Sequence, residues 1–150
     1  MTDIAHATIV MERNYAASPA RVFAAWADVD ARKRWSAPAD GIRIEYEAAE
    51  FREGGRDISR CIEAGNADYV AVVHYLDIRQ DARIVFAEDV SHGDRRVSAA
   101  LISVELSPVG ARTRLLLTMQ IASFDGAGME SGYQFGWNAA LDNLAKEFNA

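Results

Sequence analysis

Cys61 is the only cysteine in the chain. No internal disulfide can form, a metal site built on two cysteines is excluded, and this usage fits a reducing cytoplasm. Cations are also in deficit: 16 Lys and Arg stand against 22 Asp and Glu, a net charge of -6. Nucleic-acid binding draws its affinity from clustered Lys and Arg that release counterions, so nucleic acid is not an expected partner. Long apolar runs are missing. Stretches such as Tyr69 to Val73 and Leu115 to Leu117 fall far short of the roughly 20 residues that span a bilayer, and no membrane insertion is expected. The opening MTDIAHATIVMERNY has no basic patch followed by an apolar run, so it does not read as a signal peptide. His6, His74 and His92 are dispersed, none with a second ligand at i+2 or i+4, and no metal is expected. Nucleophile elbow, phosphate-binding glycine loop and dinucleotide fingerprint are all lacking. Gly54-Gly55 leads into a strand rather than a helix, and no cofactor is expected.

What is present suits one ordinary globular domain: 150 residues, 50% hydrophobic and 25% charged. A domain of this length buries roughly 70% of its unfolded surface. Residues Ala7 to Tyr15 are apolar and β-branched enough for a first strand. Ser18 can cap a helix over Pro19 to Ala27, where proline at the first position forfeits no hydrogen bond and Val22, Phe23 and Trp26 share a face. Asp30 is read as the cap of a second short turn carrying Arg32, Lys33, Arg34 and Trp35, and the three cations read as a solvated helix face. After Gly41 the period changes to two, with Ile42, Ile44 and Tyr46 alternating against Arg43, Glu45 and Glu47. Further strands are placed near Arg56 to Glu63, Asp68 to Ile78, Arg83 to Val90, Val97 to Leu106 and Arg112 to Ala122. Their short connections require antiparallel pairing. From Met129 to Phe148 the helical period returns. Tyr133, Trp137, Ala140, Leu141, Leu144 and Phe148 form its apolar stripe, and Asn138, Asp142, Asn143 and Glu147 face water.

This order, with FREGGR (Phe51 to Arg56), DARIVFAEDV (Asp81 to Val90) and the terminal GWNAALDNLAKEF, resembles the START-like (SRPBCC, helix-grip) superfamily, and within it the activator-of-heat-shock-protein-ATPase-like branch. The resemblance covers nearly the whole chain. It implies an α+β helix-grip fold: an antiparallel sheet of six to seven strands wrapped around a long C-terminal helix, with two short helices after the first strand. The superfamily includes lipid and hormone carriers, polyketide aromatases and cyclases, and co-chaperone domains, so a shared fold leaves the activity open.

Sheet and last helix of such a fold enclose a cavity, and strand alternation indicates which side chains look into it. Tyr69, Ala71, Val73 and Tyr75 are read as inward, as are Leu115, Leu117 and Met119, with Phe23, Trp26, Tyr133, Trp137 and Leu141 contributed by helices. The strand after the double glycine places Asp57, Ser59 and Cys61 on its inward side if the register holds; a one-residue slip would instead turn Asp57 to solvent and Ile58 and Ile62 inward. A buried Asp57 requires a partner, for which Arg56, Arg60 and Tyr75 are candidates. His74 alternates with Tyr75 and reads as solvent-facing, and Cys61 as a structural thiol.

The expected function is non-catalytic binding of a small apolar or aromatic molecule, the wall being drawn from Phe23, Trp26, Asp57, Ser59, Tyr69, Tyr75, Met119, Tyr133, Trp137 and Leu141. The alternative is a polyketide aromatase- or cyclase-like enzyme with Asp57 and Tyr75 as acid and base. A second alternative is a co-chaperone-like module that binds protein through an exposed sheet edge. Homodimerisation would cover such edges, and no residue pattern requires it.

Overall fold

The segments of period two become seven strands of one antiparallel sheet. The structure, a computed structural model, describes residues 3–149. Its elements are β1 (Ile4–Tyr15), α1 (Pro19–Ala27), α2 (Val29–Trp35), β2 (Ile42–Ala49), β3 (Arg56–Glu63), β4 (Tyr69–Arg79), β5 (Arg83–His92), β6 (Arg95–Val109), β7 (Arg112–Phe124) and α3 (Met129–Lys146). The sheet order is β1-β7-β6-β5-β4-β3-β2, a meander from β2 to β7 with β1 laid beside β7. This is the α+β helix-grip fold, and the direction of each pair from β2 to β7 follows from connections too short for a crossover.

Local chemistry sets the helix boundaries. The Ser18 hydroxyl accepts from the Arg21 amide, and Pro19 occupies the first turn of α1. Asp28, rather than Asp30, caps α2. Its carboxylate accepts from the Asp30 amide, because the two helices are separated by this one residue, which both closes the first and opens the second. Helix α3 starts at Gly128, whose φ of 62° is the left-handed conformation that glycine adopts without cost. Tyr133, Ala140, Leu141, Leu144 and Phe148 are buried in one core with Ile102, Val104, Leu115, Leu117 and Met119.

The polar side of α3 does more than face water. Asn143 donates to the carbonyls of Trp35 and Ala37, Asn138 accepts from Arg13, and Glu147 accepts from Arg34. The Tyr15 hydroxyl donates to the Leu141 carbonyl, and the Thr113 hydroxyl to that of Ala17. The bonds of Asn138, Leu141, Asn143 and Glu147 fix α3 against β1 and the end of α2, and that of Thr113 ties β7 to the segment after β1. No helix among the described residues is long and apolar enough to cross a membrane.

Candidate functional site

The FREGGR turn positions the first part of the site. The Gly54 amide donates to the Tyr75 carbonyl, and the Tyr75 amide donates to the Gly55 carbonyl, so the turn is bonded to β4 beside Tyr75. A Cβ on Gly55 would lie 2.2 Å from the Glu50 carbonyl oxygen, which reserves the position for glycine. The next inward residue on β3 is Asp57, only 3% exposed. Its carboxylate accepts from Arg32 Nη1 at 2.5 Å, from the Tyr75 hydroxyl at 2.5 Å and from the Glu50 amide at 3.1 Å. Arg32 Nη1 also donates to the Tyr75 oxygen at 2.7 Å, and the guanidinium lies over the rings of Tyr46 and Phe51. Burial is the largest influence on Arg32 and opposes its charge, but Tyr75, Tyr46 and the Asp57 carboxylate together prevail and raise its pKa further. Burial likewise raises the Tyr75 hydroxyl far above the usual phenol range. The three side chains thus form a closed, desolvated ion-pair network.

Arg32 corrects the reading of Arg32, Lys33 and Arg34 as a solvated face. Lys33 and Arg34 are exposed, while Arg32 is buried with Ala31 and Trp35 because α2 lies over the end of the sheet. It also replaces Arg56 and Arg60 as the partner of Asp57. Arg60 pairs instead with Glu47 and Asp68 on the outer side. The inward register of Asp57 holds, and His74 is exposed.

Two adjoining cavities lie between the sheet and the helices. The smaller, about 130 Å³, is walled by this network together with Trp26, Trp35, Ser59, Val73 and Phe86. The larger, about 370 Å³, is bounded by Ile42, Ile44, Cys61, Tyr69 and Val90 from the sheet and by Met129, Tyr133 and Trp137 from α3. Ser36, Ile44, Glu88 and Trp137 line both. Trp26 stacks on Trp137 with ring centroids 5.8 Å apart, and packs against Trp35 at 4.8 Å. Gly132 and Gly136, one turn apart on α3, line the larger space, and a Cβ on either would meet no atom within 4 Å. Phe135, at its rim, is 63% exposed.

Of the residues expected on a cavity wall, Trp26, Asp57, Ser59, Tyr75 and Trp137 lie on the smaller space, and Tyr69, Tyr133 and Trp137 on the larger. Phe23, Met119 and Leu141 do not reach either wall. Met119 and Leu141 are fully buried in the core, and Phe23 packs edge-on against Phe51. Tyr69 is 37% exposed, its ring stacked on His92 at 4.0 Å.

The sequence reading assigned Arg32 to a solvated face and did not single out Glu88. Both carried a signal: Arg32 is three residues before the inward Trp35, and Glu88 continues the alternation of Ile84 and Phe86 along β5. Burial raises the Glu88 carboxyl to about 7, a Tyr133 hydrogen bond opposing this and Asp89 adding to it. Tyr133 shares a hydrogen bond of 3.1 Å with the Ser98 hydroxyl. Burial, then Glu63 and Asp68, push the Cys61 thiol up, so it is held away from the reactive thiolate form. Among the described residues, no group of three or more His, Cys, Asp or Glu side chains is placed to hold a metal.

Comparison with solved structures extends the fold to relatives. A Rhizobium loti protein, Mll3558, is 39% identical over 97% of this chain and 99% of its own, with a TM-score of 0.87. An uncharacterised protein of Rhizobium leguminosarum is 29% identical over 99% and 97%, with a TM-score of 0.89. The AHSA1 protein of Silicibacter pomeroyi, 21% identical over 94% and 96% with a TM-score of 0.77, shares the fold. No curated protein matches the chain. The family model described as activator of Hsp90 ATPase homolog 1-like protein matches residues 16–149. With its seven strands closed on α3, the chain belongs to that family, within the START-like helix-grip superfamily.

Proposed function

We propose that this protein binds a small, largely apolar molecule in the 370 Å³ cavity between α3 and the β2–β5 end of the sheet, without transforming it. The observation that carries the reading is the pair Gly132 and Gly136. Each glycine in a helix interior costs about 1 kcal/mol relative to alanine. Alanine would fit at both positions without a clash, so neither glycine is demanded by packing. What they supply is an open wall. The cavity lies within the size range of small-molecule sites and is lined mostly by apolar and aromatic groups.

The enzyme reading draws less support. Asp57 and Tyr75 are bonded to each other and to Arg32, which leaves neither free to exchange a proton with a molecule in the larger cavity. The network is read here as the structural floor of the site.

Titration with the neutral fluorophore N-phenyl-1-naphthylamine tests the proposal. Wild-type protein is expected to give saturable one-to-one enhancement. Gly136→Leu, which fills the space with a side chain, is expected to weaken it by about tenfold or more while the circular dichroism spectrum is retained. Equal binding by the two proteins would place the probe elsewhere and remove the basis of the reading.

A further inference from the structure

The larger cavity is apolar along most of its wall, and its polarity is concentrated where it meets the smaller one. Glu88 and Ser36 line both spaces there, and Arg32 lines the smaller. Two of these side chains are chemically unfinished. Arg32 Nε is buried with no hydrogen-bond partner, although Nη1 of the same arginine serves both Asp57 and Tyr75, and the buried Ser36 Oγ has only the neighbouring Tyr46 hydroxyl beside it. The Arg32 side chain is 6% exposed, so bulk water does not stand in. A guanidinium N–H can only donate; what it lacks is an acceptor.

The charges at the junction narrow the kind of acceptor. An ammonium group would meet the Arg32 cation, and a carboxylate would meet the Asp57 anion and, above about pH 7, Glu88 as well. An uncharged oxygen meets neither penalty. We infer that the site takes a neutral, mostly apolar molecule carrying a carbonyl oxygen, its apolar body in the larger cavity and the oxygen directed to Arg32 Nε, Ser36 Oγ and the Glu88 carboxyl. The inference rests on the larger cavity being a ligand space and adds the head group.

Protonation of Glu88 enters as a consequence. The groups around it are Tyr133 from α3, itself bonded to Ser98 of β6, Tyr46 from β2, Arg32 from α2, Asp57 from β3, Tyr75 from β4 and the adjacent Asp89. With its carboxyl raised to about 7, Glu88 holds a proton below that pH and can donate to the ligand oxygen; above it, the carboxylate only accepts.

Four probes of one shape separate the terms: 2-acetylnaphthalene, its hydrocarbon isostere 2-isopropylnaphthalene, 2-naphthoate and 2-naphthylmethylamine, each titrated calorimetrically at pH 6 and pH 8.5. At the lower pH the ketone is expected to bind about tenfold more tightly than the hydrocarbon, the worth of a buried hydrogen bond, and more tightly than either ion. The advantage shrinks at the higher pH. Glu88→Gln, whose amide still donates, is expected to retain the preference and lose its pH dependence. If that variant does not fold, Ser36→Ala carries the test by reducing the ketone's advantage. Equal binding of ketone and hydrocarbon, or tighter binding of either ion, overturns the head-group assignment and leaves the cavity reading intact. Failure of the hydrocarbon and the ketone alike to bind sinks both.

Discussion

Arg32→Met isolates the energetics of the buried network. In the native protein the Arg32 and Asp57 side chains are 6% and 5% exposed, so neither charge is relieved by solvent. Methionine retains much of the arginine stem and removes the guanidinium that lies over Tyr46 and Phe51. Asp57 keeps two donors, the Tyr75 hydroxyl and the Glu50 amide, and loses the counter-charge. Leaving one member of a buried pair uncompensated costs about 3–5 kcal/mol. At a urea m-value of about 2 kcal/mol/M, the denaturation midpoint should fall by roughly 2 M with the slope unchanged. The double variant Arg32→Met/Asp57→Asn removes both charges while the new carboxamide keeps an acceptor oxygen, and it should recover most of the loss, to within about 1–2 kcal/mol of wild type. Urea unfolding followed by tryptophan fluorescence reads all of this, since Trp26 and Trp35 line the same cavity. A cost for Arg32→Met below about 1 kcal/mol, or a double variant no more stable than the single one, would refute the account of a desolvated, mutually dependent pair.

Glu88 makes a separate, pH-dependent prediction. Its folded-state value of about 7 lies above the ordinary 4.5, so between those limits the native state binds the proton more tightly than the unfolded chain. The Glu88 contribution to stability is therefore greatest below about pH 4.5 and falls as pH rises to about 7. At about 1.4 kcal/mol per unit the fall is ~3 kcal/mol at most, and the difference in stability between wild type and Glu88→Gln should follow it. A difference that is flat between pH 4.5 and 7 would contradict the assignment. Gly136→Ala should raise stability by about 1 kcal/mol, read as a higher thermal midpoint, because the helix gains propensity and the added methyl enters open space. A destabilised Gly136→Ala would mean that the glycine is required by packing after all.

Much of the sheet could be read directly from the residues, and the reason is geometric. Alternation along β2, from Ile42 to Tyr46, and along β3, from Asp57 to Cys61, assigns each side chain to a face before any partner is known. Alternation grouped Asp57 with Ser59 and Cys61 but left open whether that set or Ile58 and Ile62 faced inward, and the structure buries Asp57. Its partner was not legible, because Arg32 reaches Asp57 through the placement of α2 on the sheet, which is set by tertiary packing and leaves little trace in a run of three cations. The cavity wall was partly legible for a related reason. Aromatic stripes mark the inward faces of strands and helices, yet Met119 and Leu141 are as inward as Trp137 and end in solid core. Whether an inward residue meets a neighbour or a void depends on the volumes opposite it. On α3 those volumes are set by Gly132 and Gly136, two residues that hydrophobic patterning does not count.

The position of β1 constrains how the molecule comes into being. Ile4 stands opposite Phe124, and Tyr15 opposite Thr113, so the earliest strand has no neighbour in the sheet until the seventh has been made. On a ribosome, β3 to β6 can pair successively as they emerge, each with the strand just before it. Throughout that interval β1 is a tethered, unpaired ribbon, and the apolar side of the growing meander lacks the helix that will cover it. Completion of β7 closes the longest loop in the molecule and supplies that partner, after which α3 can dock. Newly made chains halted before β7 should therefore be the species most exposed to aggregation.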